Sequence, residues 1–501
     1  MFEEAGLASL EMMQRGSLHS ARRRRTAIFA IAGLAGGATL AAAGAAQAHR
    51  LGGRADLPIP VWLFSWVAAV VLIISFVALG ALWKEPKLAG SAVHRIPTWL
   101  NSLVTSRAVS ILLGAAGVFL LGVTIWSGFA GTQIPTGNFA PIFVHIIFWL
   151  GLVPASILFG DVFAAVNPWR ALGRGTGWLL GKVLRGPTPE PLPYSKGLGM
   201  LPATVGLFAF TWLDIAQNGE LPRNVAAATL VYTCAAILGM AVYGVEPWMR
   251  RGETFSVYFN LISQMAPFER RDGRICLRWP LSGLATYEQS RGLVLFVAIM
   301  IGSVSFDGLE DGPVWLRIRP ELEAAFDGVF GDTGARLLAD SLGLVGTIAI
   351  IWAFYRAGIE VIRYVTRESD IPMSGGEIAR SFAPSLVPIG VAYLGAHFIT
   401  LLLIEGQSIA ALVSDPLGRQ WDIFGTSSTG INFGLLGATN TWYLQVSLVV
   451  AGHVAALVVA HDRALELWKD SKVATRSQLG MLVIMVGLTS FALWLLAKAN
   501  A

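Results

Sequence analysis

Residues 384–404 read PSLVPIGVAYLGAHFITLLLI, a run without a single Asp, Glu, Lys or Arg. At about 1.5 Å of rise per residue, such a run makes a helix of about 30 Å, the thickness of a bilayer's hydrocarbon core. The pattern recurs along the chain, with further apolar segments at 61–83, 108–130, 141–160, 198–215, 224–243, 292–306, 341–365, 441–461 and 477–497. Ten such spans joined by polar links predict an all-α fold, a polytopic membrane helix bundle forming one transmembrane domain over 49–501.

Composition points the same way. Of 501 residues, 54% are hydrophobic and only 14% charged, and the mean hydropathy is +0.60. A soluble chain carries about 25% charged residues, so soluble and disordered classes are excluded. Two cysteines, Cys234 in an apolar stretch and Cys276 in a basic loop, make no disulfide framework. The formal charge of +5 is no sign of a nucleic-acid partner, because membrane proteins gather Lys and Arg in their cytoplasmic loops. The expected partner is the lipid bilayer.

The N-terminus has the layout of a signal segment over 1–48. Arg22 to Arg25 form a basic region, Thr26 to Ala45 an apolar one, and Ala46-Gln47-Ala48 a small-x-small cleavage site. The segment is either cleaved or kept as an anchor. Cleavage leaves His49 first, either as a plain terminus or as a copper chelator through its amine and ring.

An exported N-terminus and ten spans place loops 84–107, 161–197 and 244–291 in the cytoplasm and the C-terminus outside. Those loops are basic, with Lys84, Lys87, Arg95 and Arg107 in the first and Arg250, Arg251, Arg270, Arg271, Arg274 and Arg278 in the third. On the other side, loop 131–140 has no charge, loop 307–340 is acidic, and loop 405–440 holds Glu405, Asp415 and Asp422 against Arg419. The charges obey the positive-inside rule. Loop 366–380 is nearly neutral and decides nothing. Of Trp66, Trp126, Trp149, Trp212, Trp352 and Trp442, many lie near span ends, which suits an aromatic belt better than a binding box. Two inward spans end alike, in Asn167-Pro168-Trp169-Arg170 and Glu246-Pro247-Trp248-Met249-Arg250, through shared anchor chemistry or through internal duplication.

Ionisable groups at membrane depth are costly and point to function. His397 shares a helix face with Tyr393 and Thr400, His145 lies four residues into its span, and His453 sits mid-span. His461 follows His453 by eight residues, about 12 Å along a helix, too far to share an ion. Asp214, Asp307, Glu310, Asp340 and Glu405 stand at or just past the outer ends of spans. If the bundle gathers these ends, carboxylates form an outer vestibule above His145 and His397.

Three functional uses of this set are open. His145, His397, Asp307 and Glu310 are a donor set suited to a zinc-like divalent metal that activates water, with His145, His397 and Glu405 as the catalytic groups. His397 and His453 are candidate axial ligands of a haem. The same two histidines with Glu405 make a relay for a transporter. Beside these stand plainer readings: carboxylates that are solvated or cap helices, and packed histidines bonded to Thr, Gln445 or a carbonyl. No HxH, HExxH or CxxC spacing is present. Arg356 and Glu360, spaced i,i+4, are expected to pair. The segment Ser414 to Thr426 is either a lid over the vestibule or an ordered external loop.

Five phrases together resemble a family of bacterial polytopic membrane proteins labelled fenitrothion hydrolase. They are AHRLGGRADLPIPVWL (48–63), GDVFAAVNPWRAL (160–172), VSFDGLEDGPVW (304–315), SDPLGRQWDIFGT (414–426) and GHVAALVVAHDRAL (452–465). The resemblance covers much of the chain but carries no active-site motif, so no catalytic residue follows from it. It implies an inner-membrane phosphotriester hydrolase in which a metal-bound hydroxide attacks phosphorus, a nitrophenolate-like group leaves, and a small apolar substrate arrives from the bilayer. A membrane subunit or assembly factor of a redox or metal-handling complex is the remaining class.

Overall fold

The computed structural model describes residues 61–183, 190–216, 219–310, 312–369, 371 and 373–499. The signal segment and His49 lie outside the described residues. Ten apolar helices coincide with the ten apolar stretches: α1 Val61–Leu82, α2 Arg107–Ala130, α3 Phe139–Phe159, α4 Leu201–Ala216, α5 Pro222–Tyr243, α6 Leu293–Glu310, α7 Trp315–Val365, α8 Val387–Leu403, α9 Ala438–Leu467 and α10 Leu479–Ala499. Among the described residues eight apolar helical segments are long enough to cross a membrane, and Trp66–Leu82 and Leu201–Ile215 are shorter ones. The chain is an all-α polytopic bundle.

A small sheet marks one end of the bundle. Strands β1 His94–Arg95, β2 Phe268–Arg271 and β3 Arg274–Leu277 pair antiparallel in the order β1-β3-β2, and Asn101 Oδ1 accepts a hydrogen bond from the Ile275 amide at 2.9 Å. The helices run alternately toward this sheet end and toward the far end. Helix α6 is central, with 72% of its apolar window buried, whereas only 17% is buried in the segment containing α2, which therefore lies at the rim. Helices α8 and α9 pack antiparallel so closely that a Cβ on Gly452 would lie 2.2 Å from Ala392 Cβ and 2.6 Å from the Pro388 carbonyl oxygen. Glycine at 452 is what permits that approach.

Two stretches differ from the sequence reading. Helix α6 continues to Glu310, so Asp307 lies on the helix rather than beyond it. Much of the expected loop 307–340 is helical, because α7 starts at Trp315 and folds back at Gly331, whose φ of 67° breaks the helix. Arg319 reaches Asp340 at 3.5 Å across that fold, and Trp315 Nε1 donates to the same carboxylate at 3.4 Å. Asp340 is thus a buried staple within α7.

The sheet end is tied by buried polar groups. Asp462 accepts from Trp83 Nε1 at 3.1 Å and from the backbone amides of Lys87, Leu88 and Ala89 at 2.5, 3.0 and 3.1 Å. His461 bonds the Trp83 carbonyl at 2.8 Å and Gln478 at 3.1 Å. Asn167 caps the helix Pro168–Val183 by accepting from the Arg170 amide, and its own amide donates to Ser256 Oγ at 2.9 Å. Trp169 Nε1 donates to Thr233 Oγ1, while Trp248 stacks on Tyr243 at 5.9 Å, so the two similar span ends do different work. Trp149 and Trp442 are core residues rather than belt residues. Arg356 meets Glu360 at 3.3 Å, as the spacing required.

Candidate functional site

The far end holds two histidine–aspartate pairs. His397 lies on α8 and Asp307 on α6, and Nε2 of the one is 2.6 Å from Oδ2 of the other. His145 lies on α3, and its Nε2 is 3.5 Å from Oδ1 of Asp214 on α4. Both pairs are partly exposed, with side-chain exposures of 15% for each histidine, 29% for Asp307 and 24% for Asp214.

Local structure sets each ring. Residues Ile142–Leu150 of α3 form a π-helix, closed by the Gly151 amide bonding the Ile146 carbonyl at 2.8 Å. This wide turn, a feature found often at functional sites, carries His145. Asn138 fixes its start, accepting from the Ala140 amide and donating to the carbonyls of Ser127 and Thr132. Rings join the two pairs from below: His145 packs 6.2 Å from Phe210, His397 packs 4.5 Å from Phe398, and Phe210 and Phe398 both stack edge-on against Trp149. Asp214 lies within electrostatic reach of His145, Asp307 and Glu220. The pairs therefore belong to one neighbourhood.

The 2.6 Å contact defines the chemistry of His397. A carboxylate at that distance accepts a charge-assisted hydrogen bond from Nε2–H, which leaves Nδ1 as the acceptor nitrogen when the ring is neutral. An imidazole so oriented has the arrangement that general-base chemistry uses. Tyr393, one turn earlier on α8, lies 6.0 Å from the His397 ring and nearly parallel to it.

The other expected partners are elsewhere. Among the described residues no group of three or more His, Cys, Asp or Glu side chains is placed to hold a metal ion. His145 and His397 each have an aspartate instead, and Glu310 ends α6 one turn beyond Asp307. The four-residue metal set does not assemble among the described residues: Asp307 is paired with His397, His145 with Asp214, and Glu310 belongs to neither pair. Glu405 sits in the 3-10 turn Glu405–Ser408 at the far end, and no hydrogen bond or ion pair joins its carboxylate to His145 or His397 among the described residues.

His453 is 1% exposed, and its Nδ1 bonds the Val449 carbonyl at 2.8 Å. Gly452 lies level with Pro388 and Ala392, which puts His453 roughly 10 Å along the axis from His397. With His397 Nε2 turned to Asp307 and α8 packed directly on α9 at Gly452, the two histidines are not disposed as facing axial ligands of a haem. The relay from His397 through His453 to Glu405 has no bonded path among the described residues either. The segment Ser414–Thr426 is tied to the α2–α3 turn, through Thr132 N to Leu417 O at 2.9 Å and Phe139 N to Pro416 O at 3.3 Å. Among the described residues it makes no hydrogen bond or ion pair to either pair.

Sequence reasoning named Asp214 only as an end-of-span carboxylate and passed over Gly308. Asp214 is the partner of His145. Gly308 lies against the His397 ring, and its one signal was its place beside Asp307.

No known protein-family model matches the chain, no curated protein matches it, and no solved structure matches it.

Proposed function

We propose that the chain is a multi-pass protein of the bacterial inner membrane that hydrolyses small apolar esters of the phosphotriester class, with His397 and Asp307 as a general-base pair. The 2.6 Å contact between them carries this reading, because it leaves Nδ1 as an acceptor at a partly exposed site. In the reaction, His397 Nδ1 takes a proton from water as the water oxygen bonds to phosphorus. The bond from phosphorus to a nitrophenolate-like oxygen then breaks, that oxygen takes the proton back from His397 directly or through solvent, and a phosphodiester and a phenol are released. The resemblance of the five phrases supports the ester class.

The metal-bound hydroxide that the resemblance implies finds no fitting donor group among the described residues, so no step runs through a metal. Loop charge supports the orientation. The sheet-end connections carry Lys84, Lys87, Arg95, Arg270, Arg271 and Arg274, and the positive side of a membrane protein faces the cytoplasm. The two pairs then face the exported side, and an apolar ester reaches them from the bilayer.

Nitrophenolate release from a nitrophenyl dialkyl phosphotriester by the purified protein tests the reading. Wild-type protein is expected to turn over and His397→Ala, folded to the same thermal midpoint, to be inactive. Equal rates in the two proteins, or no turnover by reconstituted wild-type protein, sinks it.

A further inference from the structure

Beside the small sheet lies an open cavity of about 400 Å³, whose lining includes Leu88, Ala89, Ser91, Arg270, Arg271 and Arg278. That volume falls within the range of small-molecule sites, about 300–1,000 Å³. Its walls are held from behind. Asp462 fixes the amides of Leu88 and Ala89 at 3.0 and 3.1 Å. Arg278 is buried and donates to the carbonyls of Ala266 and Ser263 at 3.1 and 2.9 Å and to Glu269 at 2.9 Å. It packs directly on Gly283, where a Cβ would lie 2.4 Å from its Nη1.

Charge in this cavity is unbalanced. Glu269 offsets Arg278, whereas the exposed side chains of Arg270 and Arg271 meet no carboxylate among the described residues. A basic cleft with preformed walls concentrates anions, and guanidinium groups match the oxygens of a phosphate. Orienting a membrane protein needs only positive charge at this end; it does not need a cavity edged by two unpaired arginines. The surroundings point to the source of the anion. Leu277 and Trp279, next to Arg278 in the chain, are exposed, and so are Trp99 and Leu103 on the helix Thr98–Val104, which Asn101 ties to β3. Exposed tryptophan and leucine beside arginine is the composition of a membrane interface, where such rings sit at headgroup level.

We propose that this cavity holds the phosphodiester headgroup of an anionic phospholipid, with Arg270 and Arg271 on its phosphate oxygens. Two unpaired arginines suit a headgroup with two phosphates, that of a diphosphatidylglycerol. On the orientation proposed above, the lipid belongs to the cytoplasmic leaflet. The cavity itself depends neither on that orientation nor on the hydrolase reading.

Full-length protein in nonionic detergent, titrated with diphosphatidylglycerol and with bound lipid counted by native mass spectrometry, tests the site. Wild-type protein is expected to take up one such lipid in preference to phosphatidylcholine. Arg270→Gln with Arg271→Gln should weaken binding about 30-fold. Arg95→Gln with Arg274→Gln removes the same charge from the sheet but outside the cavity, and should weaken it only a few-fold. Ser91→Trp keeps every charge and fills the cavity, and should weaken binding as much as the first pair. Equal weakening by the two arginine pairs, or wild-type binding by a folded Ser91→Trp protein, overturns the site in favour of a diffuse basic surface. Displacement of the lipid by millimolar inorganic phosphate, at matched ionic strength, overturns the lipid in favour of a soluble phosphate.

Discussion

Nε2 of His397 lies 2.6 Å from Oδ2 of Asp307, a contact between residues 90 positions apart that joins α8 to α6 at the far end of the bundle. An aspartate held against an imidazole does two things: it fixes the tautomer and stabilises the ring when protonated. Asp307→Asn keeps the shape and removes the charge. Hydrolysis is expected to fall about 10²- to 10⁴-fold, with a smaller loss in Asp214→Asn, because the His145 pair is longer at 3.5 Å. Steady-state rates with a nitrophenyl phosphotriester check both, and a larger loss at Asp214 reverses the assignment of the base.

The separation of the donors into two pairs predicts indifference to chelators. Purified protein incubated with EDTA and desalted is expected to keep its full rate, and elemental mass spectrometry should find no transition metal near one per chain. Stoichiometric zinc, with activity lost on its removal and restored on its return, overturns the metal-free reading.

Asp462 predicts a stability effect rather than a catalytic one. Its carboxylate accepts from Trp83 and from three consecutive backbone amides, and it is fully buried. Asp462→Ala leaves four donors unsatisfied and is expected to cost about 3 kcal/mol or more, at 1–3 kcal/mol for each buried unpaired group. The thermal midpoint in detergent should fall well below that of His397→Ala, and equal midpoints refute the role.

Asp161 gives a pH prediction. It caps the helix Val162–Val166 by accepting from the Ala164 amide at 3.0 Å, and Asn260 donates to its other oxygen. Desolvation raises its pKa above the usual 3.8, more than the bonds from Asn260 and Ala164 and the charge of Arg170 lower it. A carboxyl whose folded value is raised binds protons more readily in the folded state, so its contribution to stability declines as pH climbs from 3.8 toward the raised value. Asp161→Asn keeps a capping side chain and removes this slope. Denaturant midpoints across that window should therefore fall less with pH in the variant than in the wild-type protein, and parallel profiles count against the shift.

The legible part of this protein was its apolar periodicity. Runs such as 384–404 and 441–461 became α8 and α9 within a few residues, because a bilayer rewards apolar length regardless of what packs beside it. Helix ends were less legible. Nothing in the charged stretch 315–340 announced a helix folded back at Gly331, since only the Arg319 to Asp340 contact and the packing of Trp315 make it one. His461 and Asp462 sit in one of the five phrases, yet they are staples that tie α9 to Trp83, more than 370 residues away.

Sequence alone determined the class: ten apolar helices, polar links and a few ionisable residues at depth, all local consequences of side-chain transfer between water and lipid. It also named His145, His397 and Asp307. Tertiary structure decided how they are divided. It set Asp307 against His397 and Asp214 against His145, withheld Glu405 and His453 from both, and put Gly308 beside Tyr393. The reason is that hydrogen-bond partnership depends on how α3, α4, α6 and α8 are rotated and staggered against one another. That rotation is fixed by packing across the whole bundle, not by the order of residues along any one helix.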